Sequence, residues 1–180
     1  MTGAPHHIAL IGMAGVGKSA VGRRLARRLG WSLADIDELV EAAAGSTVAE
    51  LFAEQGEETF RDIESLVLAG ELDDDTPSVV ATGGGVVLGP TNRAHLGERA
   101  LCVWLRASVP VLAERVGRSR TVRPLLMGDT EARLAELAEE RAALYAEVAD
   151  LVLDVDERSL DEVVEAIVAA VAPRLGIEVA

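Results

Sequence analysis

Short, nearly continuous apolar runs alternate with amphipathic segments from one end of the chain to the other. The run Ile8-Ala9-Leu10-Ile11 stops at a glycine-rich turn and leads into Ser19 to Leu29, where Val21, Leu25 and Leu29 recur at helical spacing until Gly30 ends the pattern. That order predicts strand, turn, helix. A second strand is expected over Ser32 to Asp35, followed by helical segments carrying Leu39, Val40, Val48, Leu51, Phe52, Phe60, Ile63 and Leu66. Val79-Val80-Ala81-Thr82, Leu101 to Leu105 and Leu151-Val152-Leu153 supply three further strands, and Thr130 to Val148 a further helix through Leu134, Leu137, Leu144 and Val148. Apolar strands separated by helices indicate a parallel sheet covered on both faces, an α/β fold. Such sheets take ligands at the carboxyl ends of their strands. The positions to inspect are therefore Gly12 to Ser19, Asp35 to Glu38, Thr82 to Gly85, Arg106 and Asp154.

Length and composition narrow the choice. The 180 residues, 49% hydrophobic and 26% charged, suit a single domain over 1–180 and exclude disordered or collagen-like structure. A net charge of −13 argues against a surface that tracks nucleic acid, since such binding depends on basic side chains neutralising phosphates. It leaves room for a small anionic ligand, because exposed charges are screened beyond about 10 Å. Cys102 has no partner for an internal disulfide, no secretory leader pattern is visible, and the longest nearly apolar stretch, Val163 to Ala172, carries Glu165. A cytoplasmic protein without a membrane span is expected. Within this acidic chain Arg115, Arg118, Arg120 and Arg123 form a local island of positive charge free of acids, punctuated by Pro124 and Gly128. The island is expected in a loop between two helices.

The turn after the first strand, Gly12-Met13-Ala14-Gly15-Val16-Gly17-Lys18-Ser19, fits G-x-x-x-x-G-K-S/T between a strand and a helix. Glycines let the backbone fold so that its amides point at phosphate oxygens, and the helix N-terminus adds partial positive charge. Lys18 is placed to reach the terminal phosphates and Ser19 to ligate magnesium. Lys18 is also the chain's one lysine among seventeen basic residues. A compact ammonium fits inside a closed backbone cradle where a planar guanidinium needs more room. With no second lysine, an N-K-x-D element for reading guanine is absent, which argues against a GTP switch.

A second ligand is suggested by residues that each have a plain structural explanation. Asp35 and Asp37, at strand alternation, would face the same side, one toward a hydrated magnesium and the other toward a substrate hydroxyl; helix capping by Asp37 is the structural alternative. Arg61 and Glu64 are three apart on one helical face, and there and at Arg141 a solvated ion pair is the ordinary expectation. Gly83-Gly84-Gly85 costs backbone entropy and permits close approach to the main chain. His6, His7 and His95 show no metal-ligand spacing and are expected at the surface.

Taken together, Gly12 to Ser19, Asp35-Ile-Asp37, Gly56-Glu-Glu-Thr-Phe60-Arg61-Asp-Ile-Glu64, Thr82-Gly83-Gly84-Gly85, Arg123-Pro124-Leu125-Leu126 and Arg141-Ala-Ala-Leu-Tyr145 resemble the shikimate kinase family over nearly the whole chain. The resemblance implies a three-layer P-loop kinase fold with a five-stranded parallel sheet. It also implies a substrate-binding helical insertion at about 37–72 and a lid at about 117–129. The implied reaction is ATP-dependent phosphorylation of the shikimate 3-hydroxyl, with Mg2+, in a monomer that binds neither nucleic acid nor membrane. The implied catalytic residues are Asp37, Lys18 and Arg123. For shikimate the family pattern gives Asp37, Arg61, Gly83, Gly84, Gly85 and Arg141, with Glu64 orienting Arg61. ATP would meet Gly12 to Ser19, Ala20, Arg123 and Arg115, the last resembling an adenine-stacking arginine with Arg118 as the alternative. Arg158 stands near the family's second adenine loop, although Ser159 and Leu160 follow it in place of the usual proline pattern. Thr82 takes a place where some P-loop proteins carry an acid, leaving Ser19 and, through water, Asp35 for the metal. The rival readings are another small-molecule P-loop kinase, acting on gluconate or a nucleoside monophosphate, and a non-catalytic ATP-binding regulator.

Overall fold

The computed structural model of the chain describes residues 6–119 and 121–177; Arg120, one of the four arginines of the basic island, lies outside them. Among the described residues five strands form one parallel sheet: β1 (His7–Ile11), β2 (Ser32–Asp35), β3 (Ser78–Ala81), β4 (Ala100–Arg106) and β5 (Leu151–Asp154). Their spatial order is β2-β3-β1-β4-β5, with Ala9 level with Val80 on one side and Cys102 on the other. Every described residue of β1 and β3 is buried, as expected for strands covered on both faces. The predicted five-stranded α/β sheet is present, each strand within a residue or so of its expected limits.

Among the described residues seven α-helices flank the sheet: α1 (Lys18–Leu29), α2 (Ile36–Ala44), α3 (Val48–Asp73), α4 (Pro90–Arg99), α5 (Val109–Arg118), α6 (Thr130–Val148) and α7 (Leu160–Leu175). Right-handed crossovers send α1 to one face, because β1 to β2 runs one way across the sheet. The crossovers through α3, α4 and α6 run the other way, to the opposite face. The packing agrees, with α1 against α7 and α4 between α3 and α6. None of the described helices is long and apolar enough to cross a membrane.

Three local features position the site. The first is the opening of α3, where Thr47 and Glu50 exchange side-chain and backbone hydrogen bonds. Eight residues on, Gly56 breaks the helix at φ 83°, ψ 172°, and the bend brings the Phe52 and Phe60 rings to 4.8 Å. In α6, Asp129 caps the first turn by accepting from Ala132 N at 3.1 Å, and the helix then carries Arg141 and Tyr145 on its buried face. In the third feature, β3 runs directly into the triple glycine, and Thr82 fastens the start of that loop by donating its hydroxyl to Leu10 O at 2.9 Å.

His7 departs from the surface placement expected for it. It is fully buried at the start of β1, its Nδ1 2.8 Å from Ser78 Oγ and its Nε2 2.8 Å from Asp74 O. A ring that satisfies both nitrogens within the protein loses little by leaving water. Cys102 lies in the core, where burial pushes its thiol up to about 12.

Candidate active site

The carboxyl end of β1 delivers the chain into the glycine-rich turn. Gly12 adopts φ 140°, and a Cβ there would collide with the Leu105 carbonyl, so neither the conformation nor the space admits a side chain. The helix that follows has Gly17 at its cap without a side-chain bond and no acid in its first turn, which leaves its positive end open to an anion. Lys18 is 8% exposed, and its Nζ donates to Gly12 O at 2.7 Å and Met13 O at 2.9 Å. Burial pushes its ammonium down to about 8, opposed chiefly by Asp37.

In front of this loop opens a cleft of about 900 Å³. Met13, Ala14, Gly15, Gly17 and Lys18 to Ala20 line the side of it formed by the glycine-rich turn. Gly12 and Val16 sit behind that lining, where the Gly12 carbonyl receives Lys18 and the Val16 carbonyl receives Arg115 Nη1 at 3.1 Å. Arg115 Nη2 also reaches Val155 O at 3.4 Å, tying the loop to the end of β5. Arg115 and Arg118 stand in the last turn of α5 rather than in the loop expected for the basic island; of these two alternatives for the adenine, Arg115 borders the cleft, whereas Arg118 is exposed and pairs with Glu114 at 2.6 Å. Arg158 is exposed beyond β5 and is not part of the lining.

Asp35 and Asp37 both reach the cleft, but not by strand alternation. The strand ends at Asp35 and α2 begins at Ile36, which turns its side chain into the core. Asp35 occupies the cap position without a side-chain capping bond and Asp37 falls in the first turn, so the capping alternative does not describe Asp37. Its carboxylate is open to the cleft, yet the surrounding walls desolvate it and raise its pKa against the pull of Lys18.

The triple glycine meets three parts of the site through space rather than through unusual backbone angles. A Cβ on Gly83 would strike Glu64 Oε1, one on Gly84 would lie 3.2 Å from Ala14 N, and one on Gly85 would enter the Arg61 guanidinium. The close approach expected at this loop is thus made by the protein's own groups. Arg61 Nη1 donates to Glu64 Oε2 at 2.7 Å, while Nε and Nη2 share Glu57 Oε1 at 3.3 and 3.2 Å. The ion pair is not a solvated one, for Glu64 is fully buried. Burial disfavours the Arg61 charge, but Glu64 and Glu57 more than offset it and hold the guanidinium above its ordinary value. Burial raises the Glu64 pKa, opposed by Arg61.

Arg141, 5% exposed, is also no surface arginine. Among the described residues the buried side-chain polar atoms without a hydrogen-bond partner are Glu64 Oε1, Arg123 Nη1 and Arg141 Nε, and all three residues line this one cleft. Buried donors are ordinarily satisfied, and two unpartnered guanidinium nitrogens in one cavity call for acceptor oxygens from an anionic ligand. Arg123 lies within electrostatic reach of Asp37; burial lowers its pKa and Asp37 opposes that shift. Two contributors were not singled out from sequence. Glu57 holds Arg61 from the side opposite Glu64, and Tyr145 bonds the Gly84 carbonyl from behind the loop. Their helical spacing, four before Arg61 and four after Arg141, was the available signal.

A parallel sheet with a phosphate loop after β1, a buried lysine in that loop and a basic, carboxylate-containing cleft beside it defines a P-loop small-molecule phosphotransferase. A family model described as shikimate kinase matches residues 14–172. A shikimate kinase of Caulobacter vibrioides (strain NA1000 / CB15N) is 51% identical over 141 residues, covering 78% of this chain and 70% of that protein. One of Ruegeria pomeroyi is 42% identical over 168 residues, covering 93% and 85%. Among solved structures, shikimate kinase from Acinetobacter baumannii in complex with shikimate superposes with a TM-score of 0.89 at 32% identity, covering 94% of each chain. The chain belongs to the shikimate kinase family.

Proposed function

We infer that this protein transfers the γ-phosphoryl group of ATP to the 3-hydroxyl of shikimate, giving shikimate 3-phosphate on the route to chorismate and the aromatic amino acids. The observation that carries the reading, within this family, is the pair of unpartnered arginine nitrogens, Arg141 Nε and Arg123 Nη1, in a cleft that also holds Asp37 and the phosphate loop. One wall suits a small carboxylate and the other a polyphosphate.

In this reading Arg61 and Arg141 bind the substrate carboxylate, the triple glycine lies against the ring, and Asp37 orients the hydroxyl and accepts its proton late. Phosphoryl transfer passes through a loose transition state, so positioning and charge neutralisation supply most of the rate. Lys18 would leave its carbonyl partners for the terminal phosphates, with the loop amides and Arg123 sharing the transferred charge. Gly12 to Ala20 hold the nucleotide phosphates, and Arg115, together with the segment around Arg158, the adenine side. Residues 37–72 act as the substrate-binding insertion and 117–129 as a lid that excludes water once both substrates are present.

Among the described residues no group of three or more metal-ligating side chains could hold an ion by itself. The donors present suit Mg2+, a hard cation that keeps water and shares phosphate oxygens: the Ser19 hydroxyl and, through water, the buried Asp35 carboxylate both border the cleft. Bound there, the ion would neutralise charge on the β- and γ-phosphates. The protein is taken to work as a cytoplasmic monomer.

A coupled ADP-release assay with shikimate, gluconate and a nucleoside monophosphate as acceptors tests the reading. Turnover confined to shikimate is expected. Preference for either other acceptor, or ATP binding without transfer to any, rejects it.

A further inference from the structure

Tyr145 is the chain's single tyrosine, 1% exposed, one helical turn beyond Arg141 on α6. Its ring stacks on Trp104 of β4 with centroids 5.4 Å apart. Its hydroxyl donates to the Gly84 carbonyl and lies 3.8 Å from Met13 Sδ. Packing alone would be served equally by phenylalanine, and burying a hydroxyl costs free energy unless its hydrogen bond is kept.

The consequence of that bond comes from peptide planarity. Gly84 C=O and Gly85 N–H belong to one peptide unit, trans like every other among the described residues, and therefore point in opposite directions. Tyr145 is not in the lining of the large cleft; with Met13 and Trp104 it walls a separate cavity of about 260 Å³ behind the loop. Gly84 and Gly85 do line the cleft. With the carbonyl drawn back toward Tyr145, the Gly85 N–H of the same peptide turns the other way, to the side on which Gly84 and Gly85 line the cleft. Among the described residues that N–H has no backbone or side-chain acceptor.

We propose that Tyr145 is a positioning residue: its hydroxyl fixes the plane of the 84–85 peptide so that the Gly85 amide offers an aimed donor to an oxygen of the bound hydroxy acid. The proposal rests on reading the cleft as a shikimate site. Gly84 also packs closely against the phosphate loop, where a Cβ on it would lie 3.2 Å from Ala14 N.

Tyr145→Phe keeps the ring and its stacking and removes only the hydroxyl. The shikimate KM is expected to rise about five- to tenfold, the loss of one well-placed hydrogen bond, while the ATP KM stays within about twofold. Trp104→Phe disturbs the same stack but leaves the hydroxyl, and should keep the parental shikimate KM. An unchanged shikimate KM in Tyr145→Phe, equal rises in both KM values, or the same loss in Trp104→Phe overturns the proposal. Assaying the parent alongside separates the two levels: an inactive parent refutes the shikimate reading, whereas an active parent matched by Tyr145→Phe refutes only the role of Tyr145. Should the variant not fold, shikimate titration of the 15N-labelled parent supplies the answer. The Gly85 amide resonance should move downfield, and a stationary resonance overturns the proposal.

Discussion

A lysine held by two main-chain carbonyls inside a close-fitting loop must remain charged to attract phosphate, and burial works against it. With the Lys18 pKa lowered to about 8, the unliganded protein loses that charge as pH rises through this value. kcat/KM for ATP should therefore fall above about pH 8, while kcat, which reports the complex in which phosphates restore the proton, falls later. A pH profile of kcat/KM flat to pH 9.5 contradicts this assignment. Asp37→Asn should lower kcat by about 100-fold with the ATP KM nearly unchanged, the pattern of a group that acts on the acceptor hydroxyl; near-parental turnover would remove it from the mechanism. Gly85→Ala pushes a methyl into the Arg61 guanidinium, and the shikimate KM should rise about tenfold from misplacement alone. Gly97→Ala, where a methyl meets nothing within 4 Å, is the matched control.

Elements differ in how plainly the sequence announces them. The strands and α6 were legible because their apolar patterns are long and the sheet admits one side-chain arrangement per strand. The division inside α3 was not, because helical spacing continues through Phe52, Phe60 and Ile63 with only Gly56 to mark a break, and an isolated glycine is common in helices. Its φ of 83° with ψ 172° is a conformation that costs any other residue about 1–3 kcal/mol. Gly56→Ala should accordingly lower the melting temperature by several degrees, measured by circular dichroism. An unchanged melting temperature would mean that the bend is not required. Asp35 and Asp37 teach a related lesson: their shared location was anticipated, but the chain reaches it through a strand-to-helix junction, which a period of two cannot describe.

At the scale of the whole molecule, the acidic surplus coexists with a cleft that gathers six of the basic side chains, Lys18, Arg23, Arg61, Arg115, Arg123 and Arg141, against five acidic ones. Burial at the far end of the sheet was invisible in the sequence, since His7 is saved from the surface only by partners 67 and 71 residues away. Desolvation first, and the nearby Arg99 in addition, lower its pKa below 6.5 against the opposing bond to Asp74. The folded state thus binds fewer protons than the unfolded one, so the contribution of His7 is complete above about pH 6.5 and is lost as pH falls below it. Between pH 7 and pH 5 the parent's melting temperature should drop more steeply than that of His7→Gln; parallel curves would exclude the ring from acid sensitivity. The solitary lysine has a practical consequence of another kind. Apart from the terminal amine, the chain offers acylating reagents a single nitrogen nucleophile of the alkylamine type, and its depressed pKa leaves more of it unprotonated near pH 8. An acyl phosphate carried on a nucleotide would leave one mass tag per molecule on one tryptic peptide, and competition by ATP would turn that tag into a direct count of occupied sites.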